Sequence, residues 1–422
     1  MNAYSQKAGR LVALLLIAGS GVVTIAKGMS LTFLALRLQA DFGLSPASIG
    51  ALIGAGPLLG AIVSPFAGTL SDRVGRKGVL TAALLMAGLA LAGLGLAQSV
   101  AAFALAHIVS AVAAAVYEPV ARALMSDAAP EHLRLKIFSW RYLAINAGWA
   151  IGPLIGVWVG AAYSTLFLIA GAMHAAFGLV LFATVPEGNN RPVIATEQAP
   201  RAGSGWRGLV AALRDRRLVL FVIGGTLLLA VHGQWSVTLS QYLSAGFEDG
   251  VTLFALLVST NAATVLVAST PARFVIERIG ALRALSLGCL LFLIGEIGFA
   301  ASSGAEMLIA SMILFTIGEV LVVPSEYMLV DGISDAGNRG TYFGAHSLST
   351  VGNFLGPLIG GLALGTLGGA GMFLLFALLS AASALLFAIG HSMPPPRPET
   401  VRAHASGREA VNGDLLRRGQ FA

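Results

Sequence analysis

The polar segment Gly68-Thr69-Leu70-Ser71-Asp72-Arg73-Val74-Gly75-Arg76-Lys77-Gly78 separates two long apolar stretches of the chain. A bilayer core of about 30 Å is crossed by roughly 20 apolar residues in a helix. We therefore predict two membrane-spanning helices joined by this short charged loop. Of the 422 residues, 56% are hydrophobic and only 11% are charged. Soluble domains carry roughly 25% charged residues, so the composition excludes an ordinary soluble enzyme and a disordered protein.

Twelve apolar stretches are long enough to span a bilayer when the chain is read with a window of about 19 residues. They lie near residues 11–36, 46–68, 79–98, 100–124, 138–162, 165–185, 217–243, 251–273, 283–302, 305–330, 341–365 and 370–391. Lys27 interrupts the first stretch, which is too long for the apolar part of a secretory signal. The predicted fold is an all-α membrane protein with twelve transmembrane helices.

The basic residues predict the orientation of these helices. If the N-terminus is inside and twelve spans alternate, every lysine and arginine except Lys27 and Arg37 falls at the inner ends of the spans or in the inner segments. Cytoplasmic loops are enriched in basic residues. We therefore expect a multi-pass protein of the cell inner membrane with both termini in the cytoplasm.

The two halves of the chain repeat weakly. Asp72-Arg73-Val74-Gly75 recurs as Glu277-Arg278-Ile279-Gly280 at an offset of 205, and Pro119 recurs as Pro324 at the same offset. Parallel repeats of this kind occur in one large class of transporters. The chain then divides into an N-terminal six-helix bundle (1–185), a polar cytoplasmic linker (186–216), a C-terminal six-helix bundle (217–391) and a disordered tail (392–422).

Two motifs resemble those of the major facilitator superfamily. The opening segment matches the signature loop G-x-L-x-D-R-x-G-R-R/K-x-x-L through Gly68, Asp72, Arg73, Gly75, Arg76, Lys77 and Leu80. The fifth span carries Gly148, Gly152, Pro153 and Gly156, which resembles the motif of the exporting, antiporter branch, and Gly356, Pro357 and Gly360 repeat it in the eleventh span. The resemblance implies two pseudo-symmetric six-helix bundles that rock around a central site.

The resemblance also implies roles for the loop and the glycines. Asp72 is expected to face the N-terminus of the eleventh span, where a helix dipole favours an anion. Arg76 requires an acid, and Asp127 at the end of the fourth span is the candidate. The loop is then a latch, or else its charges only set the topology. The glycines of the fifth span share one helical face. They either form a seam that seals one side of the transport pathway or permit ordinary tight packing of helices.

Ionisable residues inside spans are costly to bury and point to function. In this family the first, fourth, seventh and tenth spans line the cavity, which predicts a shared substrate and proton cavity containing Lys27, His107, Glu118, His232 and Glu319. Glu319 is the predicted coupling acid, with Lys27 or His232 as its partner. His107 stands where that branch usually has an arginine, and Glu118 can pair instead with Arg122 one turn on. Glu296 is predicted to form a structural pair, and His174 and His346 are predicted to be hydrogen-bonded packing histidines.

The predicted function is secondary active export of small amphiphilic molecules, either drugs or a secreted metabolite such as a siderophore, by proton antiport. An uptake symporter, a membrane sensor and a lipid flippase are the alternatives. The sequence contains no glycine-rich nucleotide-binding loop that follows a predicted strand. Its single cysteine excludes a multi-cysteine metal site. We therefore expect a monomer in the bilayer that binds a small molecule and protons, with no catalytic residues, cofactor, metal or nucleic acid.

Overall fold

The computed structural model describes residues 6–129, 131–159, 163–186, 210, 212–334 and 339–394. Most of the predicted linker and nearly all of the predicted tail lie outside these residues. The described chain is helical. Its helices are α1 (Gln6–Ser30), α2 (Leu34–Phe42), α3 (Pro46–Val74), α4 (Arg76–Leu96), α5 (Val100–Ala128), α6 (Glu131–Val159), α7 (Tyr163–Thr184), α8 (Arg216–Gln234), α9 (Ser240–Gly246), α10 (Gly250–Ile279), α11 (Ala281–Ala301), α12 (Ala305–Gly332), α13 (Arg339–His346) and α14 (Gly352–Ser392).

The helix ends follow local chemistry. The Ser45 hydroxyl accepts a hydrogen bond from the Ser48 amide, and Pro46 occupies the first turn, which together start α3. Ser99 starts α5 in the same way. Gly75 turns the chain between α3 and α4 with a φ of 107°, and Gly280, its repeat partner at the offset of 205, turns it between α10 and α11 with a φ of 84°. Positive φ values of this kind favour glycine.

The same packing scheme is used twice. In the first half α1 packs on α6, and α4 packs on both α5 and α7. In the second half α8 packs on α14, and α11 packs on both α12 and α14. Separate clusters of buried apolar side chains fill the interior of each half. Most of these side chains lie on helices, as expected for a bundle in which helix packing replaces a soluble core.

The repeat extends to irregular turns. A 3₁₀ turn at Leu31–Phe33 joins α1 to α2, and a π turn at Trp235–Leu239 joins α8 to α9. The offset of 205 maps the first turn into the second. In both halves the irregular turn begins a few residues after an ionisable residue, Lys27 or His232. Wide or tight turns inside helices are often found at functional sites.

The two halves meet along α3 with α14 and along α6 with α10. We call the end of the bundle that holds Gln6 and Ser392 the terminal face, and the other end the opposite face. Toward the opposite face the two halves touch through their main chains. A Cβ added at Gly50 would lie 2.0 Å from the carbonyl oxygen of Pro357, and one added at Gly361 would lie 2.2 Å from that of Pro46. We call these close contacts between the two halves the opposite-face seal.

Ten helical segments in the described chain are long and apolar enough to cross a membrane. The last, Thr341–Ser392, has 52 residues and contains one non-helical residue, Gly368, with a φ of 70°. A 52-residue helix would be roughly 78 Å long, more than twice the hydrocarbon thickness. In addition, α3 has 29 residues and is apolar along Pro46–Gly60.

Candidate functional site

The central polar cluster of the second half lies midway along its helices. His232 Nε2 on α8 lies 3.3 Å from Glu319 Oε1 on α12. Asn261 on α10 donates hydrogen bonds to Glu319 Oε2 at 3.0 Å and to Thr316 Oγ1 at 2.9 Å. The two predicted residues are therefore brought together. Asn261 was not among the predicted residues, because a neutral amide is not an ionisable group; its polarity within an apolar span was the available signal.

The His232–Glu319 cluster retains exposed surface deep in the bundle. The exposed fractions of the two side chains are 36% and 19%. The helix that carries Asn261 packs against α6 of the other half, so the cluster lies beside the boundary between the halves. Phe315 stacks on the His232 ring and Trp235 meets it edge-on. The imidazole of His232 is therefore held between two aromatic side chains.

Lys27, a predicted cavity residue, lies in the first half and lines a small cavity with Ser110, Tyr117 and His174. The space is about 10 Å³, close to what one water needs. Lys27 also lies within electrostatic range of Glu118. The structure therefore places Lys27 with Glu118 in one half and His232 with Glu319 in the other.

The acid Glu118 is held by an arginine that was not among the predicted cavity residues. Arg141 Nη2 on α6 donates to Glu118 Oε2 at 2.7 Å, and Arg141 Nε donates to the Ser20 hydroxyl on α1 at 3.0 Å. Arg141 is only 7% exposed. Arg122, the predicted alternative partner, donates to the Glu118 backbone carbonyl instead. Arg141 could have been found, because it falls inside the predicted span 138–162.

His107, also a predicted cavity residue, lies against α3. Its Nε2 donates to the Ile53 carbonyl oxygen at 2.9 Å, and the residue is 7% exposed. A Cβ added at Gly56 of α3 would lie 2.6 Å from the same nitrogen. The described contacts of His107 are thus those of a histidine packed between two helices, and its role in a cavity stays a prediction.

The signature loop brings two of its predicted residues together. Arg76 Nε lies 2.6 Å from Asp127 Oδ2, which ties the start of α4 to the end of α5. Lys77 lies 4.8 Å from the Phe182 ring. Gly75 makes the turn between α3 and α4. The surroundings of Gly68 and the side chains of Asp72 and Arg73 lie outside the described part of the structure.

The predicted glycine seam packs helices within each half. Gly148, Gly152 and Gly156 face α1 and the turn after it, where a Cβ at Gly152 would lie 2.8 Å from the Ile25 carbonyl oxygen. In the second half a Cβ at Gly356 would lie 2.3 Å from the Ala230 carbonyl oxygen on α8. Pro153 and Pro357 lie inside the same helices. The glycines therefore permit close backbone approach of α6 to α1 and of α14 to α8.

A polar node at the terminal face joins α8 to α13. Asp215 caps α8 by accepting from the Arg217 amide at 2.9 Å, and the Arg217 guanidinium and the Tyr342 hydroxyl also donate to its carboxylate. Burial disfavours the charged carboxylate, but the hydrogen bonds from Arg217 and Tyr342 outweigh burial and hold the pKa of Asp215 below its ordinary value.

We predict that Asp215→Asn costs about 1–2 kcal/mol of stability at pH 7, because asparagine can still cap the helix while the charged pairing is lost. A depressed folded-state pKa stabilises the protein above the unfolded pKa of about 4 and loses that effect as pH falls through the folded value. The difference in Tm between wild type and variant should therefore shrink below pH 4. Thermal unfolding in detergent between pH 3 and 7 measures it.

The matched control is Asp249→Asn, because Asp249 also precedes a helix but makes no side-chain capping bond. Its stability should stay within about 0.5 kcal/mol of wild type across this range. A pH-independent difference for Asp215→Asn would contradict the charged pairing.

The helices, their repeated packing and polar groups deep between them define a membrane transport protein. A model of the Major Facilitator Superfamily matches residues 16–348 and 235–421. The chain is 30% identical to the uncharacterized MFS-type transporter YqjV of Bacillus subtilis over 373 residues, covering 88% of this chain and 90% of YqjV. The chain therefore belongs to the major facilitator superfamily, and it is a transporter rather than an enzyme.

Two other similar proteins have named activities. A Na(+), Li(+), K(+)/H(+) antiporter of Planococcus maritimus is 26% identical over 363 residues, covering 78% of this chain and 84% of the antiporter. The crystal structure of the nucleoside transporter NupG superposes with a TM-score of 0.76 at 17% identity, over 91% of this chain and 100% of that one. The second likeness shows the fold alone. Among the described residues, no group of three or more His, Cys, Asp or Glu could hold a metal ion.

Proposed function

We propose that this transporter exports small amphiphilic molecules in exchange for protons. The observation that carries the proposal is the His232–Glu319–Asn261 cluster, a carboxylate and an imidazole that face each other deep in the bundle and keep exposed surface. Such groups inside spans mark substrate and proton pathways. The partly exposed aromatic ring of Trp235 beside them suits an amphiphilic cargo, either a drug or a secreted metabolite.

The proposal includes twelve crossings in two six-helix bundles that act as a monomer. The break at Gly368 divides the 52-residue segment into two crossings, and α3 supplies a further one beyond the ten helices counted by apolarity. An even number places both termini on one side, and the basic residues favour the cytoplasm. The terminal face is then cytoplasmic, the membrane is the cell inner membrane, and the seal closes the outer end. The linker 186–216 and the tail 392–422 lie in the cytoplasm.

Alternating access connects the remaining predicted residues to this function. The Arg76–Asp127 pair at the terminal face is proposed to steady the signature loop, with Asp72 facing the start of the eleventh span. The glycines of α6 and α14 keep α1 and α8 rigidly attached to their own halves, so each half moves as a unit. Lys27 and Glu118 form the proposed polar lining contributed by the first half.

Transport into membrane vesicles under an imposed pH gradient tests the direction. Everted vesicles that are acidic inside should accumulate ethidium, a fluorescent amphiphilic cation, only when they contain the protein, and a protonophore should release it. A panel of amphiphilic anions and zwitterions covers the other charge types. Accumulation of a panel compound by right-side-out vesicles with an acidic exterior would establish proton-coupled uptake instead.

Uptake is the second candidate, because the same fold serves import and export. Lys27 bears on the charge of the cargo, since a lysine suits an anionic or zwitterionic metabolite. A lipid flippase remains a less favoured candidate. Movement of a fluorescent phospholipid between leaflets of proteoliposomes, with no accumulation of any soluble panel compound, would identify it.

A further inference from the structure

A second ion pair in the C-terminal half lies apart from the His232–Glu319 cluster. His346 Nε2 on α13 lies 2.9 Å from Glu326 Oε1 on α12. The two residues are 5% and 7% exposed. Glu326 lies on the same helix as Glu319 but seven positions further toward the terminal face, which is roughly 10 Å along the axis. The pair is therefore a distinct site between the cavity and the terminal face.

The internal repeat relates this pair to the Arg141 node of the first half. The offset of 205 maps Arg141 onto His346 and Ser20 onto Gly225. Arg141 contacts Ser20 and an acid on α5, and His346 lies with Gly225 and an acid on α12. The offset of 205 maps Glu118 onto position 323, so Glu326 lies three residues, or about one helical turn, beyond the matching position. The two halves thus build the same three-helix node with different bases.

The difference between the bases has a chemical consequence. An arginine guanidinium stays charged at every physiological pH, whereas an imidazole gains or loses its proton near neutrality. In the first half the node is therefore a permanent ion pair. In the second half it is an ion pair only when a proton is bound to the imidazole, and otherwise it is a neutral ring that donates a hydrogen bond to a carboxylate.

The space around Glu326 leaves little room for another partner. A Cβ added at Gly225 would lie 2.2 Å from Glu326 Oε1 and 3.2 Å from His346 Nε2, so α8 presents main chain and no titratable group at this point. Two titratable groups face the pair directly, Tyr327 on α12 and Cys289 on α11. Arg122 on α5 lies near Tyr327. Tyr342 lies one turn before His346 on α13 and is bonded to Asp215, which precedes α8. Among these described groups, none forms a closer ion pair with Glu326 than His346 does.

We propose that His346 and Glu326 form a second proton-binding site, which controls how firmly α13 packs on α12 at the terminal face. Proton binding creates a buried ion pair between the two helices, and proton loss removes it. The node of the C-terminal half then responds to pH. The matching node of the N-terminal half does not, because Arg141 keeps its charge. The role of this site in transport rests on the proposed proton exchange. The binding of a proton at the site does not require transport.

Histidine NMR tests proton binding directly. In the intact protein labelled with ¹⁵N-histidine in nanodiscs, one of the seven histidine signals should titrate between pH 5 and 9 and be absent in His346→Gln. In Glu326→Gln the pH dependence of that signal should differ from that of the wild type, because its charged neighbour has gone. A His346 signal that stays in one protonation state across this range, or a pH dependence unchanged in Glu326→Gln, would overturn the proposal.

Hydrogen–deuterium exchange tests the effect on α13. After correction for the intrinsic rate, protection of residues 341–346 in the wild type should change at least about fivefold between pH 6 and pH 8, and His346→Arg, which copies the first half, should abolish that change. His174→Gln is the matched control, because His174 is buried and, within the described residues, its hydrogen bond is to the Ala170 carbonyl of its own helix. Equal pH dependence in wild type and His346→Arg would refute the proposed control of packing. Neither readout involves a cargo, so failure of the export assay leaves both results interpretable.

Discussion

Glu319→Gln is expected to abolish transport driven by a pH gradient, with a fall of at least about 100-fold, the size of effect typical for loss of a positioned proton-transfer group. Glutamine keeps the shape of the side chain and can still bond to Asn261 and His232, so the protein should insert and fold. It cannot carry the exchangeable proton. Initial rates in everted vesicles, with and without the gradient, measure the loss.

Glu306→Gln is the control for this prediction. Glu306 lies in the first turn of the same helix and is exposed, so its removal should leave the gradient-driven rate within about twofold of wild type. Downhill movement of cargo without a gradient should survive in Glu319→Gln, because the change affects coupling rather than binding. Retained gradient-driven transport in that variant would remove Glu319 from the coupling mechanism.

Gly361→Val is expected to have the second large effect, opening the opposite-face seal. The first added carbon would lie 2.2 Å from the Pro46 carbonyl oxygen, a main-chain atom that cannot turn aside. Overpacking of this kind costs about 1–3 kcal/mol. Because the contact exists only while the two halves are closed at that end, the cost shifts the balance between conformations roughly 5- to 150-fold toward the state open at the opposite face.

Spin labels on Ser45 and Thr366 report this shift, because both residues are exposed near the seal. The parent protein for labelling carries Cys289→Ser. Double electron–electron resonance should show mainly a short distance between the two labels in this parent, and mainly a longer distance after Gly361→Val. Gly365→Val is the matched control on the same helix, since a Cβ there meets nothing within 4 Å. A distance distribution that is the same in both valine variants would contradict the seal.

Much of the helical architecture is readable from the sequence. Apolar length and the offset of 205 predict repeated long helices, and the chain folds as such, with Gly75 and Gly280 turning at matched positions. The pairing of His232 with Glu319 was also accessible, because burial of isolated ionisable groups in lipid is costly and forces them to find partners. Helix ends were less accessible: the predicted span 11–36 corresponds to α1, a 3₁₀ turn and α2 together, reaching Phe42.

The environments of residues on one helix were not readable in the same way. His107 and Glu118 are eleven residues apart on α5, about three turns, and so project from nearly the same face. One packs against the α3 backbone and the other pairs with Arg141 of α6. Which neighbour a helical face meets at a given depth depends on how the helices cross, and helix crossing is a property of the assembled bundle rather than of local sequence.

The opposite-face seal is formed by main-chain atoms, whereas the proposed transport site is formed by the side chains of His232, Glu319 and Asn261. Substitutions among these side chains change the proposed site without changing any atom of the seal. The range of accepted molecules and the closing of the gate are therefore separate targets for mutation. A lineage with this architecture can acquire a new cargo by a few point changes while inheriting its gate intact.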